Sequence, residues 1–124
     1  SGGTGAEFAF YDTDTVKCDF RQESFFRYLF GINEPDCFGV LDLAKRESIL
    51  FVPWIPDEHE RWNDGTGDNR PLSFYVERYG VSDAKYVKDL DAELTRRGVS
   101  SLYILNGVNA DSDNKTTTVA KFDG

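Results

Sequence analysis

The chain has 124 residues, 40% of them hydrophobic and 15% aromatic, enough for one domain with its own core. Its formal net charge of −8 excludes the cationic surface that nucleic acid or an anionic membrane requires, so neither is expected as a partner. Two cysteines, Cys18 and Cys37, are too few for a disulfide framework and read as reduced thiols, and no apolar run approaches the ~20 residues of a membrane span; both point to a cytoplasmic protein.

Residues 1–5 (Ser-Gly-Gly-Thr-Gly) read as a tag or flexible end, leaving a domain over 6–124. Ala6 to Tyr11 alternates aromatic with small or polar residues, as a half-buried strand does, and Asp12 to Thr15 reads as a turn. Phe20 to Gly31 is the densest apolar stretch. There Ser24 is expected to cap a short helix and Gly31 to end it in the left-handed conformation. Cys37 to Leu43 and Ser48 to Pro53 read as two strands joined by a hairpin-length polar link, Ala44 to Glu47. Both are nearly continuous apolar runs, so both faces of each are expected to be covered. Asp57 to Arg61 fits one helical turn, and the polar, glycine-rich stretch Asn63 to Asn69 a surface loop.

Pro71 suits the first position of a helix whose apolar face is Leu72, Tyr75, Val76 and Tyr79, ending at Gly80. Ser82 is expected to cap a second helix, with Val87, Leu90 and Leu94 facing the core and Arg96 and Arg97 at its C-terminus. Ser101 to Leu105 reads as a buried strand, Gly107 to Asn114 as a loop and Thr116 to Lys121 as a short edge strand. The order predicts an α/β fold: a mixed β-sheet with helices on its faces.

The residues themselves show no active site. His59 is the one histidine and lies on a polar turn. The acidic loops at Asp64 and Asp111 lack the glycine that a calcium loop needs at its sixth position, where Asn69 and Thr116 stand. No nucleophile–base pair and no phosphate loop is visible. Trp62 stands out as a large amphipathic ring between Arg61 and the glycine-rich loop, where either a partner contact or a ring folded onto the local surface fits. Trp54, flanked by Pro53 and Pro56, suits core or edge packing. In the ordered polar set Arg21, Gln22, Glu23 and Ser24, the expected role is structural, with Arg21 paired to a carboxylate at the helix entry.

The stretch FRQESFFRYLFGINEPDCFGVLDL (20–43), followed by LFVPWIPDEHERW (50–62), GVNADSD (107–113) and FDG (122–124), resembles the N-terminal domain of the prolidase, aminopeptidase P and creatinase family, with the motifs in order across 11–124. The resemblance implies a creatinase/prolidase N-terminal fold, ribonuclease H-like, with an earlier strand and helices preceding this point. It further implies a separate catalytic domain holding two divalent metal ions, manganese expected, on two Asp, one His and two Glu outside this chain, so this chain alone would be inactive. The partners it implies are that catalytic domain, a second subunit of a homodimer and a peptide substrate. Trp62 would reach the neighbouring subunit's site, and Glu34 and Asp36 would lie at its mouth. The loop 63–70 is richer in Gly and Asp than the family pattern. The activity so implied is hydrolysis of Xaa-Pro dipeptides. Alternatives are an aminopeptidase P acting on longer peptides and a peptidase-like interaction or chaperone module without catalysis.

Overall fold

The computed structural model describes residues 2, 20–54, 70–109, 115–116, 119 and 121. The expected strand at 6–11, the helical turn at 57–61, the loop at 63–69, Cys18, His59 and Trp62 lie outside them.

Helix α1 is Ser24–Phe30, with strands β1 at Phe38–Asp42 and β2 at Glu47–Val52. Helix α2 is Leu72–Tyr79, strand β3 is Asp83–Tyr86, and a 3₁₀ turn at Val87–Asp89 leads into helix α3, Leu90–Arg96. Strands β4 (Val108–Asn109) and β5 (Lys115–Thr116) form a separate antiparallel pair. The main sheet has the order β1-β2-β3, with β2 antiparallel to β1 and parallel to β3. It is the mixed sheet with helices on its faces that the element order predicts.

The central strand β2 explains the layering. Successive side chains of a strand point to opposite faces. Leu50 and Val52 pack with Phe26 and Phe30 of α1, Tyr75 of α2, Ile32, Cys37, Val81 and Ala84. Ile49 and Phe51 pack on the other face with Leu90 and Leu94 of α3. An apolar run here therefore serves two cores, one on each face, as in any strand covered on both sides. Strand β1 differs: among the described residues it lies at the edge of the sheet and is only half-buried, with Phe38 and Val40 packed on the α3 side, Gly39 under Phe30 on the other and Leu41 exposed, so its two faces are covered in part. At its second residue, Gly39 lies directly beneath the Phe30 ring, which leaves no room for a side chain.

Three local expectations are corrected. The cap of α1 is Glu23, not Ser24: its carboxylate accepts from the Phe25 and Phe26 amides at 3.1 and 2.7 Å, and Ser24 is the first helical residue. The helix does end at Gly31 with φ 68°, its N–H donating to the Arg27 carbonyl. Ser82 starts no helix. It leads into β3, where its amide donates to the Ser48 carbonyl at 2.8 Å and its hydroxyl accepts from the Ser48 amide at 3.1 Å. Pairing with the buried strand β2 overrides the local capping signal, and the helix begins only at Leu90. Ser101–Leu105 is neither strand nor buried: Tyr103 is 98% exposed and Leu102, Ile104 and Leu105 are exposed as well. An apolar run becomes a strand only where a ladder partner exists, and none is present for it among the described residues.

Helix α2 follows its sequence closely. Pro71 sits at the N-cap, one position before the helix, Tyr75 is buried, Leu72, Val76 and Tyr79 pack beside it, and Gly80 closes the helix at φ 63°. Trp54 takes the edge position: 49% exposed, its ring meets Tyr86 edge-on at 5.1 Å with Lys88 Nζ 5.5 Å away.

Candidate functional site

The polar residues around α1 converge on the loop between α1 and β1. Gln22 is buried, and its Nε2 donates to the Glu34 carbonyl at 2.8 Å while its Oε1 accepts from the Glu23 amide at 3.0 Å. The adjacent Glu23 caps the helix. Gln22 and Glu23 therefore fix the helix entry. Arg21 is exposed and makes no ion pair among the described residues, so the expected Arg21–carboxylate pin is replaced by amide and cap bonds. Ser24 is exposed on the first turn.

Glu34 is half-buried and its Oε1 accepts from the Tyr79 hydroxyl at 2.8 Å, which ties the loop to the last turn of α2. Asp36 is exposed and holds a positive φ of 57°, a conformation that Asp tolerates better than most residues. Beneath them lies Cys37, buried, its Sγ donating to the Pro35 carbonyl at 3.4 Å. The Gly2 amide donates to the Cys37 carbonyl at 2.8 Å, which places that residue of the 1–5 stretch against the loop.

Burial and the nearby carboxylates of Glu34 and Asp36 push the Cys37 thiol up to about 12. Burial, then Glu34, push Tyr75 up to about 12, and burial with the Glu34 hydrogen bond raises Tyr79. All three stay protonated at neutral pH, so Tyr79 acts as a donor and Cys37 is no nucleophile. We expect Cys37 to react with a thiol reagent at pH 7.5 only through unfolding. In a Cys18→Ser background labelling should speed up sharply across the urea transition, and rapid labelling in native buffer would contradict the burial of Cys37.

A second cluster ties α3 to the β1–β2 hairpin. Asp42 and Glu47 face each other across the ladder, an arrangement that like charges disfavour. Arg97 Nη1 resolves it by donating to Asp42 Oδ2 at 3.0 Å and Glu47 Oε2 at 2.7 Å, while its Nε donates to Glu93 Oε1 at 2.6 Å. Glu93 is buried, also takes two bonds from Arg96 at 2.6 and 2.9 Å, and lies 3.8 Å from Lys85 Nζ. This network is structural: its donors and acceptors satisfy one another. The sequence marks Arg96 and Arg97 only as helix-end charges and does not single out Glu93. The available signal is the i, i+3 and i, i+4 spacing of Glu93 with both arginines.

Among the described residues, no group of three or more His, Cys, Asp or Glu side chains is placed to hold a metal ion, and no helix is long and apolar enough to cross a membrane. No metal chemistry is assigned to these residues. Helical spacing marks Tyr75 and Tyr79 as core residues alone; the hydroxyl that reaches Glu34 is 45 positions away and leaves no local trace.

The family model "Aminopeptidase P, N-terminal domain" matches residues 4–103. This chain belongs to that family. The domain is 42% identical to human Xaa-Pro dipeptidase over 97% of its own length and 23% of the human protein's, and the mouse Xaa-Pro dipeptidase is 42% identical over 87% of the chain. A probable Xaa-Pro aminopeptidase of Fusarium vanettenii is 38% identical over 64% of the chain. Among solved structures, a variant of Escherichia coli aminopeptidase P matches with a TM-score of 0.53 at 27% identity, over 79% of this chain and 20% of that one. The domain thus spans about a fifth to a quarter of the length of the dipeptidases that it resembles. The fold is that of the aminopeptidase P N-terminal domain, and its relatives are peptidases.

Proposed function

We propose that this domain is the non-catalytic N-terminal part of a metal-dependent Xaa-Pro dipeptidase, in which it supports a homodimer and helps to enclose the dipeptide in the partner subunit's active site. The observation that carries this reading is the 42% identity to a Xaa-Pro dipeptidase across nearly the whole chain, against 38% over 64% of it for an aminopeptidase. The two divalent ions of the reaction, manganese by expectation, belong to the catalytic domain, and the chain by itself would be inactive.

In this reading Trp62 is the main contribution in trans: an aromatic wall that excludes water and bounds a pocket of dipeptide length. Glu34, and more weakly Asp36, lie at the mouth of that pocket. Glu34 is supported by its fixed, half-buried carboxylate; Asp36 is exposed. Replacing Trp62 by Ala in the full-length enzyme should raise KM or lower kcat for Gly-Pro about tenfold, the scale of one lost apolar contact. Unchanged kinetics across several Xaa-Pro dipeptides would remove Trp62 from the site.

The similarity to Escherichia coli aminopeptidase P structures, at 25–27% identity, favours one second reading, an aminopeptidase P. Cleavage of tripeptides with proline second, rather than dipeptides, would establish it.

A further inference from the structure

The loop between α1 and β1 is held at a single residue from two independent directions. Gln22, buried beneath it, grips the Glu34 backbone through a 2.8 Å bond to its carbonyl. Tyr79, on α2, grips the Glu34 side chain through a 2.8 Å bond to Oε1. Tyr79 is itself fixed, with its ring stacked on the buried Tyr75 at 6.5 Å and 21°. The second carboxylate oxygen, Oε2, has no partner among the described residues. Backbone and side chain of Glu34 are thus both held, while one carboxylate oxygen is left without a partner among the described residues.

A free glutamate side chain loses rotamer freedom when it binds a ligand, and that entropy offsets part of the binding free energy. One already held by a neutral donor loses little. We infer that Tyr79 is a positioning residue for Glu34: with Gln22 it presets the Glu34 carboxylate so that its open oxygen can accept an N–H or ammonium donor of a peptide substrate. This rests on Glu34 lying at the substrate mouth, as proposed above. Tyr79 touches no substrate; it acts through Glu34.

The test is steady-state kinetics on Gly-Pro with the full-length enzyme carrying Tyr79→Phe, Glu34→Gln, both, and separately Trp62→Ala, each with its melting temperature. Tyr79→Phe keeps the ring and its packing and removes only the hydroxyl. It should raise KM about three- to tenfold with kcat within twofold, and add nothing further in the Glu34→Gln background. A raised KM for Glu34→Gln with an unchanged KM for Tyr79→Phe overturns the positioning role and leaves the substrate-mouth reading intact. Multiplying effects in the double variant also overturn it, because the two residues would then act separately. If Glu34→Gln and Trp62→Ala both leave KM and kcat untouched, the reading of the site falls, and the inference with it. A lower melting temperature for Tyr79→Phe with unaltered KM shows a structural tie only, and likewise overturns the inference.

Discussion

Gly39→Ala should destabilise the domain by about 3 kcal/mol, the upper end of what overpacking one methyl group costs. A Cβ on Gly39 would lie 2.9 Å from Cε1 of Phe30, with Cζ and Cε2 closer still, so the ring itself is struck. Neither side can yield cheaply. Gly39 is laddered into β1 opposite Leu50 of the central strand, and Phe30 is a buried residue of the last turn of α1, packed on Phe26 at 5.1 Å. Shifting the ring would disturb the turn that Gly31 closes. The diagnostic measurement is a double-mutant cycle by urea unfolding. Phe30→Ala alone should cost about 3–5 kcal/mol as a cavity, and adding Gly39→Ala to it should cost at least about 1 kcal/mol less than Gly39→Ala does alone, because the new methyl enters the space vacated. Strict additivity would show that the clash is not with Phe30.

That packing shows what the sequence could and could not disclose. A lone glycine inside an apolar strand is a readable sign of close backbone approach, although which ring approaches is a tertiary fact. Features set by neighbours in the chain are legible: the Gly31 and Gly80 helix ends, the β1–β2 hairpin and the apolar face of α2 all follow from local spacing. Features set by distant partners are not. Ser82 has a capping residue's chemistry, but Asp83–Tyr86 pairs in parallel with β2, and that pairing wins. Leu102-Tyr103-Ile104-Leu105 has strand composition without a described ladder, and remains exposed.

The candidate site divides along the same line. Gln22 and Glu23 are visible in the sequence within the ordered polar set Arg21 to Ser24 beside a glycine-bounded helix, whereas Glu34 stands out only through the family resemblance. Their geometry is not visible there, since it depends on a hydroxyl from α2 and on Gln22 reaching 12 residues ahead. The cap at Glu23 rather than Ser24 shifts the helix start by one residue: the glutamate carboxylate takes the Phe25 and Phe26 amides, whereas a Ser24 cap would have served Phe26 and Arg27. The loop is thus tied to α2 twice, by the Tyr79–Glu34 hydrogen bond and by the core that Ile32 and Cys37 share with Tyr75.

Glu93→Ala should cost about 3–5 kcal/mol, because it strips a buried Arg97 of its nearest carboxylate and leaves that charge undercompensated. Asp42 and Glu47 would still hold Arg97, so the loss should fall at the low end of that range if the guanidinium can lean toward them. The pH dependence separates the network from simple packing. The hydrogen bonds from Arg96 and then Arg97 lower Glu93 from its ordinary 4.5 to about 2. In the unfolded chain this carboxyl takes up its proton more readily than in the fold, so acid favours unfolding. Its contribution is therefore complete above pH about 4.5 and disappears as the pH falls through about 2. Asp42, lowered mainly by the Lys45 amide and assisted by Arg97, works in the same direction. Urea midpoints measured from pH 7 down to pH 2 should fall steeply for the wild type and less steeply for Glu93→Gln, the two curves converging in acid. Parallel curves would show that the Glu93 carboxylate stays protonated or unpaired in the fold, and that α3 is held to the hairpin by the apolar contacts of Leu90 and Leu94 and by the bonds of Arg97 to Asp42 and Glu47.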